Sequence, residues 1–118
     1  MHEASLVEQL LGQVRRIAEQ NGGGRVTRIE VIVGELAGVE PDLVRFAFDR
    51  LAPDAGLAEA RLSLVVRPVS VYCTTCSATS ALPGFVFRCP CCGDEKVEVV
   101  DGEQFVLHQV TLDGEDDM

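Results

Sequence analysis

The chain predicts an α+β fold: a three-stranded sheet with two helices and an inserted zinc-ribbon-like module. Two observations carry this. Apolar periodicity alternates between helix and strand spacing as far as residue 69 and returns at strand spacing after residue 101. Between those stretches stand two Cys-x-x-Cys pairs, Cys73-Thr74-Thr75-Cys76 and Cys89-Pro90-Cys91-Cys92. The expected division is residues 1–69 with 101–118 as the main domain and residues 70–100 as the metal module. With 118 residues, 47% hydrophobic and no tryptophan, there is material for one modest aliphatic core.

Leu6, Val7, Leu10, Leu11, Val14, Ile17 and Ala18 share one face of a helix spanning about residues 4–20. Ser5 and Glu8 have capping-box spacing, which would leave Met1, His2 and Glu3 ahead of the helix. Asn21 and the glycines at 22–24 stop it. Residues 26–33 alternate as a strand, with Ile29, Val31 and Val33 on one side and Arg28 and Glu30 on the other. Gly34 to Glu40 forms a loop, and Pro41 suits the first turn of a second helix with Leu43, Phe46, Ala47 and Leu51 as its buried stripe. Residues 60–69 read as a second strand, with Pro68 marking an edge or an exit. Residues 96–100 give a short strand of the module, Asp101-Gly102 a turn, and residues 103–112 a third long strand. Residues 113–118 form an acidic tail.

A Cys-x-x-Cys lets one tight turn aim two thiolates at one ion, and two such turns complete a tetrahedral thiolate site. Cys73, Cys76, Cys89 and Cys92 are therefore the expected zinc ligands, with zinc in a structural role. A disulfide or redox pair is the competing reading. Cys91, a fifth cysteine inside the second knuckle, is expected to point outward.

The formal charge of −9 becomes more negative when thiolates take up zinc. So acidic a surface disfavours nucleic acid and favours a cation or a basic protein surface. No stretch reads as a signal peptide or a membrane span, and thiol ligands suit the reducing cytoplasm. No serine-histidine-acid set or phosphate loop is visible, so no catalytic activity is expected.

Met1-His2-Glu3 is the other informative stretch. A free α-amine, the amide nitrogen of His2 and its imidazole Nδ1 can close adjoining chelate rings in one plane, with the amide of Glu3 as a fourth nitrogen. Planar nitrogen ligation suits Ni²⁺ or Cu²⁺ rather than zinc. Alone, the same residues also fit a solvated terminus. His108, the other histidine, reads as a sheet-surface residue.

Taken together, Met1-His2-Glu3, the leucine-rich first helix, Gly34-Glu35-Leu36-Ala37-Gly38-Val39-Glu40 ahead of Phe46-Ala47-Phe48, and the two knuckles resemble, in order and over nearly the whole chain, the HypA/HybF hydrogenase maturation factors. That resemblance implies a nickel metallochaperone that helps load the large subunit of [NiFe]-hydrogenase alongside the GTPase HypB. By position it makes His2 the principal nickel ligand, with backbone nitrogens of Met1 and Glu3 beside it and the Glu40 carboxylate nearby. Glu40 equally fits a plain role as negative charge at a helix N-terminus. Ser77 and Gly93 stand where some family members carry histidine after each Cys-x-x-Cys, which puts any exchange of thiolate for imidazole in doubt. A zinc-ribbon adaptor without nickel and a thiol oxidoreductase are the alternatives, and neither accounts for Met1-His2-Glu3.

Overall fold

The computed structural model describes residues 2–82 and 84–113, and of His2 the backbone alone. The described residues form helix α1 (His2–Gln20), strand β1 (Arg25–Gly34), helix α2 (Pro41–Leu51), a 3-10 turn (Pro53–Ala55), and strands β2 (Arg61–Arg67), β3 (Ser70–Cys73), β4 (Thr79–Ala81), β5 (Val97–Asp101) and β6 (Phe105–Asp113). One sheet has the order β2-β1-β6 and a second the order β4-β3-β5. Contacts divide the chain into two units: residues 1–32, 39–65 and 106–118, and residues 33–38 with 66–105.

In the first unit, α1 buries Val7, Leu10, Leu11, Val14 and Ala18, matching the helical stripe in the sequence. Ile29 and Val31 of β1 are fully buried, as are Val44 and, nearly so, Ala47 and Phe48 of α2. Two expectations need correction. Helix α1 begins at His2, so Ser5 and Glu8 lie inside it and form no capping box; Glu3 supplies the acidic charge of its first turn. The buried stripe of α2 runs through Val44, Ala47 and Phe48, while Leu43 and Phe46 are 45% and 64% exposed. Burial of Val44 and Phe48 favours this rotation, and in it Arg45 Nη1 donates to the Leu62 carbonyl at 3.2 Å. The exposed Phe46 ring carries the Arg50 guanidinium over it, 5.8 Å from the ring centroid, within cation–π reach.

The second unit has a much smaller core of Val69, Val71 and Leu82, with Leu36, Val97 and Val99 packed against it. The expected strand over residues 60–69 ends at Arg67. Pro68 lacks a donor, and Val69 turns its N–H to the Glu35 carboxylate at 3.2 Å before the chain enters the other sheet as β3. In that sheet Val71 pairs with Val99 and Cys73 with Val97, while Tyr72 faces Thr79 of β4. The Gly34–Gly38 loop is tied down here: Leu36 N–H donates to Gly102 O at 2.7 Å and Gly34 N–H to Gln104 O at 2.7 Å. A Cβ on Gly34 would lie 2.1 Å from that Gly102 oxygen, so close backbone approach requires glycine.

Candidate metal centre

The two knuckles are built alike. Cys73 N–H donates to Ala78 O at 2.9 Å and Cys73 O accepts from Ser77 N–H at 2.8 Å; Cys89 N–H donates to Asp94 O at 2.8 Å and Cys89 O accepts from Gly93 N–H at 2.8 Å. In both, the residue after the second cysteine is left-handed, Ser77 at φ 63° and Gly93 at φ 81°. The closed turn leaves the first cysteine buried and the second exposed, so Cys73 and Cys89 point inward while Cys76 and Cys92 form the outer side.

The four sulfurs lie within 4.8 Å of one another. Cys73 Sγ stands 3.6 Å from Cys92 Sγ, and Cys76 Sγ 3.6 Å from Cys89 Sγ. A tetrahedral zinc with Zn–S bonds of about 2.3 Å has S···S edges of about 3.8 Å, so the donor set fits that ion in number, type and size. All five cysteines are free thiols. Cys91 stands apart from the four, exposed, with its sulfur 3.8 Å from Ser80 Oγ.

Protonation differs sharply across the cluster. The amide of Cys92, helped by that of Cys91 and opposed by burial, holds the Cys89 thiol down at about 6. These two N–H groups lie 3.4 Å and 3.3 Å from Cys89 Sγ. Cys76 behaves oppositely. The amide of Ala78 pulls it down, but the bond to Cys89, burial and the bonds to Cys73 and Cys92 together push it up to about 12. Cys92 is raised despite the amide of Asp94, through burial and its bonds to Cys73 and Cys89. One thiolate forms readily at Cys89 while Cys76 and Cys92 are pushed toward their protonated forms, so four thiolates at this spacing call for a dication.

Asp94, which sequence reasoning missed, clips the knuckles together. Its carboxylate accepts from Thr75 Oγ1 at 2.8 Å and from Lys96 N–H at 3.1 Å. Thr74 Oγ1 reaches Lys96 O at 3.3 Å. The sequence signal is slight: a short acidic side chain after the turn glycine, of the kind that bonds its own nearby backbone.

At the other expected metal position, Met1 and the His2 side chain lie outside the described residues. Glu3 is 8% exposed, and its Oε2 accepts the backbone N–H of Glu40 at 3.2 Å. The structure thus brings Glu3 and Glu40 together. Glu40 is the extended residue before Pro41, its carbonyl accepts from Val44 N–H, and its side chain makes no capping bond. A helix begun at His2 leaves its first N–H groups outside its own hydrogen-bond ladder. His108 is exposed on β6, its Nε2 3.9 Å from Glu30 Oε2, and among the described residues it joins no metal-ligating group. The tail residues 114–118 lie outside the described residues.

Residues 1–112 match the family described as "Hydrogenase/urease nickel incorporation, metallochaperone, hypA". The chain is similar to a hydrogenase maturation factor HypA of Shewanella oneidensis, 34% identical over 117 residues, covering 99% of each chain. It is 33% identical to the HypA of Shewanella baltica, over 99% of this chain and all of that one. Its fold resembles the solution structure of the Ni metallochaperone HypA from Helicobacter pylori, with a TM-score of 0.66 at 22% identity, covering 93% of this chain and 96% of that one. A second solution structure, of a HypA protein, gives a TM-score of 0.72 at 24% identity over 95% and 96%.

Proposed function

The chain belongs to the HypA family of hydrogenase/urease nickel incorporation metallochaperones, and from that premise we propose that it delivers Ni(II) to the large subunit of a [NiFe]-hydrogenase. The GTPase HypB is the proposed working partner and the cytoplasm the proposed compartment. The chain acts as a carrier and catalyses no reaction itself. Nickel is held by the imidazole and amide of His2, the α-amine of Met1 and the amide of Glu3, with Glu40 as the neighbouring carboxylate. Residues 1–69 and 101–118 form the nickel domain, and residues 70–100 form the module in which Cys73, Cys76, Cys89 and Cys92 hold structural Zn(II).

The observation that carries this reading is the bond from Glu40 N–H to Glu3 Oε2. It ties the start of α1 to the loop before α2 and sets the side chain of Glu3 to a structural task beside the proposed ligands. A site of few side-chain ligands at a chain start can release its ion to a partner, whereas zinc among four thiolates supplies fold stability and stays. Among the described residues no helix is long and apolar enough to cross a membrane.

The test is positional. One residue added ahead of Met1 keeps every side chain but turns the α-amine into an amide. That protein and His2→Ala are expected to lose high-affinity nickel binding and hydrogenase maturation while keeping zinc. Normal maturation by the extended protein, confirmed intact by mass, would rule out the terminal amine and favour a zinc-ribbon adaptor.

A further inference from the structure

We propose that the open edge of β2 is a docking strand for an extended, acidic segment of a partner protein. Strand β2 is one of the two outer strands of the β2-β1-β6 sheet. Arg45 reaches the Leu62 carbonyl from α2, so that carbonyl points away from β1. With a strand period of two, the N–H and C=O of Leu64 point the same way. Beside this edge lies an open groove of about 420 Å³ lined by Arg28, Arg45, Arg61, Leu62, Ser63 and Leu64. Three of the ten basic residues of a chain with net charge −9 therefore converge on one strand edge.

Local charge leaves most of this potential available. Arg28 meets Glu30 at 3.5 Å and Ser63 Oγ at 3.5 Å. None of the ion pairs among the described residues includes Arg45 or Arg61. An extended peptide satisfies both features, pairing its backbone with Leu64 while alternate carboxylates meet the guanidiniums. A phosphate group would satisfy the arginines alone. A second copy of this chain paired edge to edge would bring the two arginine sets face to face, and like charges at that spacing repel.

The zinc-loaded full chain, labelled with ¹⁵N, is titrated with a capped hexapeptide alternating glutamate and valine. The expected result is a saturable shift of the Leu62 and Leu64 amide signals, with affinity weakened about tenfold in Arg61→Glu. The same peptide with lysine for glutamate, or with alternate amides methylated, is expected to bind far more weakly. No shift at Leu64 up to millimolar peptide, or equal binding by the lysine peptide, overturns the proposal. So does unchanged affinity in Arg61→Glu with native amide dispersion. Equal binding by the methylated peptide, or displacement of the hexapeptide by equimolar inorganic phosphate, would reduce the groove to a general anion site and also overturn it.

Discussion

The two units differ in what holds them. The first buries aliphatic and aromatic side chains from two helices and a sheet, Val7, Val14, Ile29, Val31, Val44 and Phe48 among them. The second comprises 46 residues, six in Val33–Gly38 and forty in Val66–Phe105, around a buried cluster of Val69, Val71 and Leu82. A core of that size does not by itself offset the entropy of ordering such a chain, and small domains of this kind are stapled by a metal or disulfides. The difference teaches where metal chemistry can be permanent. On the proposed reading, an ion that replaces a core is retained for stability, and an ion held where a core already exists can come and go.

Removing zinc tests this most severely. Structural zinc contributes on the order of 10–16 kcal/mol in small modules. Chelation of zinc, or Cys73→Ala, is expected to collapse amide dispersion for residues 66–105 while α1 and α2 keep their signals and helical circular dichroism. Cys91→Ser is expected to keep full zinc content, because Cys91 stands outside the group of four. Native signals for Val69 and Val71 in metal-free protein would break the comparison.

Its converse is Ile29→Ala, at a fully buried position of the first unit. Truncations of this kind cost about 2–5 kcal/mol. Denaturant unfolding should show that loss with zinc stoichiometry unchanged, and loss of zinc on this substitution would show that the units are not independent.

How much was legible in the sequence follows the same division. The α1 stripe and the Cys-x-x-Cys spacing are long-range or chemically specific patterns, and both hold in the structure. The α2 stripe failed because Leu43-Phe46-Ala47-Leu51 and Val44-Ala47-Phe48 both fit helical spacing; burial of Val44 and Phe48 in the tertiary fold favours the second, and the bond from Arg45 to Leu62 O accompanies it. Strands β3 and β4, of four and three residues, are too short to show a period. The α1 start was misread because Ser5 and Glu8 satisfy a capping pattern locally, whereas Glu3 finds its partner 37 residues away at Glu40. The metal cluster was visible, but the Thr75–Asp94 clip across it was not, since no local pattern links those residues.

Gly102→Ala probes the second unit without touching a sulfur. Gly102 sits at φ +104°, and a Cβ there would lie 2.7 Å from Val69 Cα and 2.9 Å from Pro68 O. Backbone strain and overlap together should destabilise this unit by about 3 kcal/mol. Faster zinc transfer to a competing chelator is the expected readout, and an unchanged rate would show that the glycine turn carries no stability.

Acid gives a smaller and graded effect. Asp94 is held below the usual carboxylate range chiefly by the Thr75 hydroxyl, then by the Lys96 amide. Asp101 is depressed chiefly by the Gln104 side chain, then by Arg67 against opposing burial. A depressed folded pKa contributes stability that is complete above the unfolded value of about 4 and is lost as pH falls through the folded value. Carboxyl ¹³C titrations of Asp94 and Asp101 should therefore have midpoints below that of an unstructured aspartate, and ordinary midpoints would remove this contribution. The zinc thiolates also protonate in acid, so the carboxyl signals and not zinc loss are the measurement.

The smallest expected effect separates the two knuckles from each other. Ser77 and Gly93 occupy equivalent left-handed positions and make equivalent bonds to Cys73 and Cys89, yet only one is glycine. A left-handed backbone costs a non-glycine residue roughly 1–2 kcal/mol, while glycine loses about 0.5–1 kcal/mol more conformational entropy on folding. Ser77→Gly should therefore stabilise the zinc-loaded unit by less than about 1 kcal/mol. Gly93→Ala should destabilise it by a similar or larger amount through φ alone, since a Cβ at Gly93 meets nothing within 4 Å. Zinc transfer to a chelator should be slower in the first variant and faster in the second. If both variants release zinc faster, the serine hydroxyl contributes something glycine cannot replace, and the two knuckles are alike in backbone only.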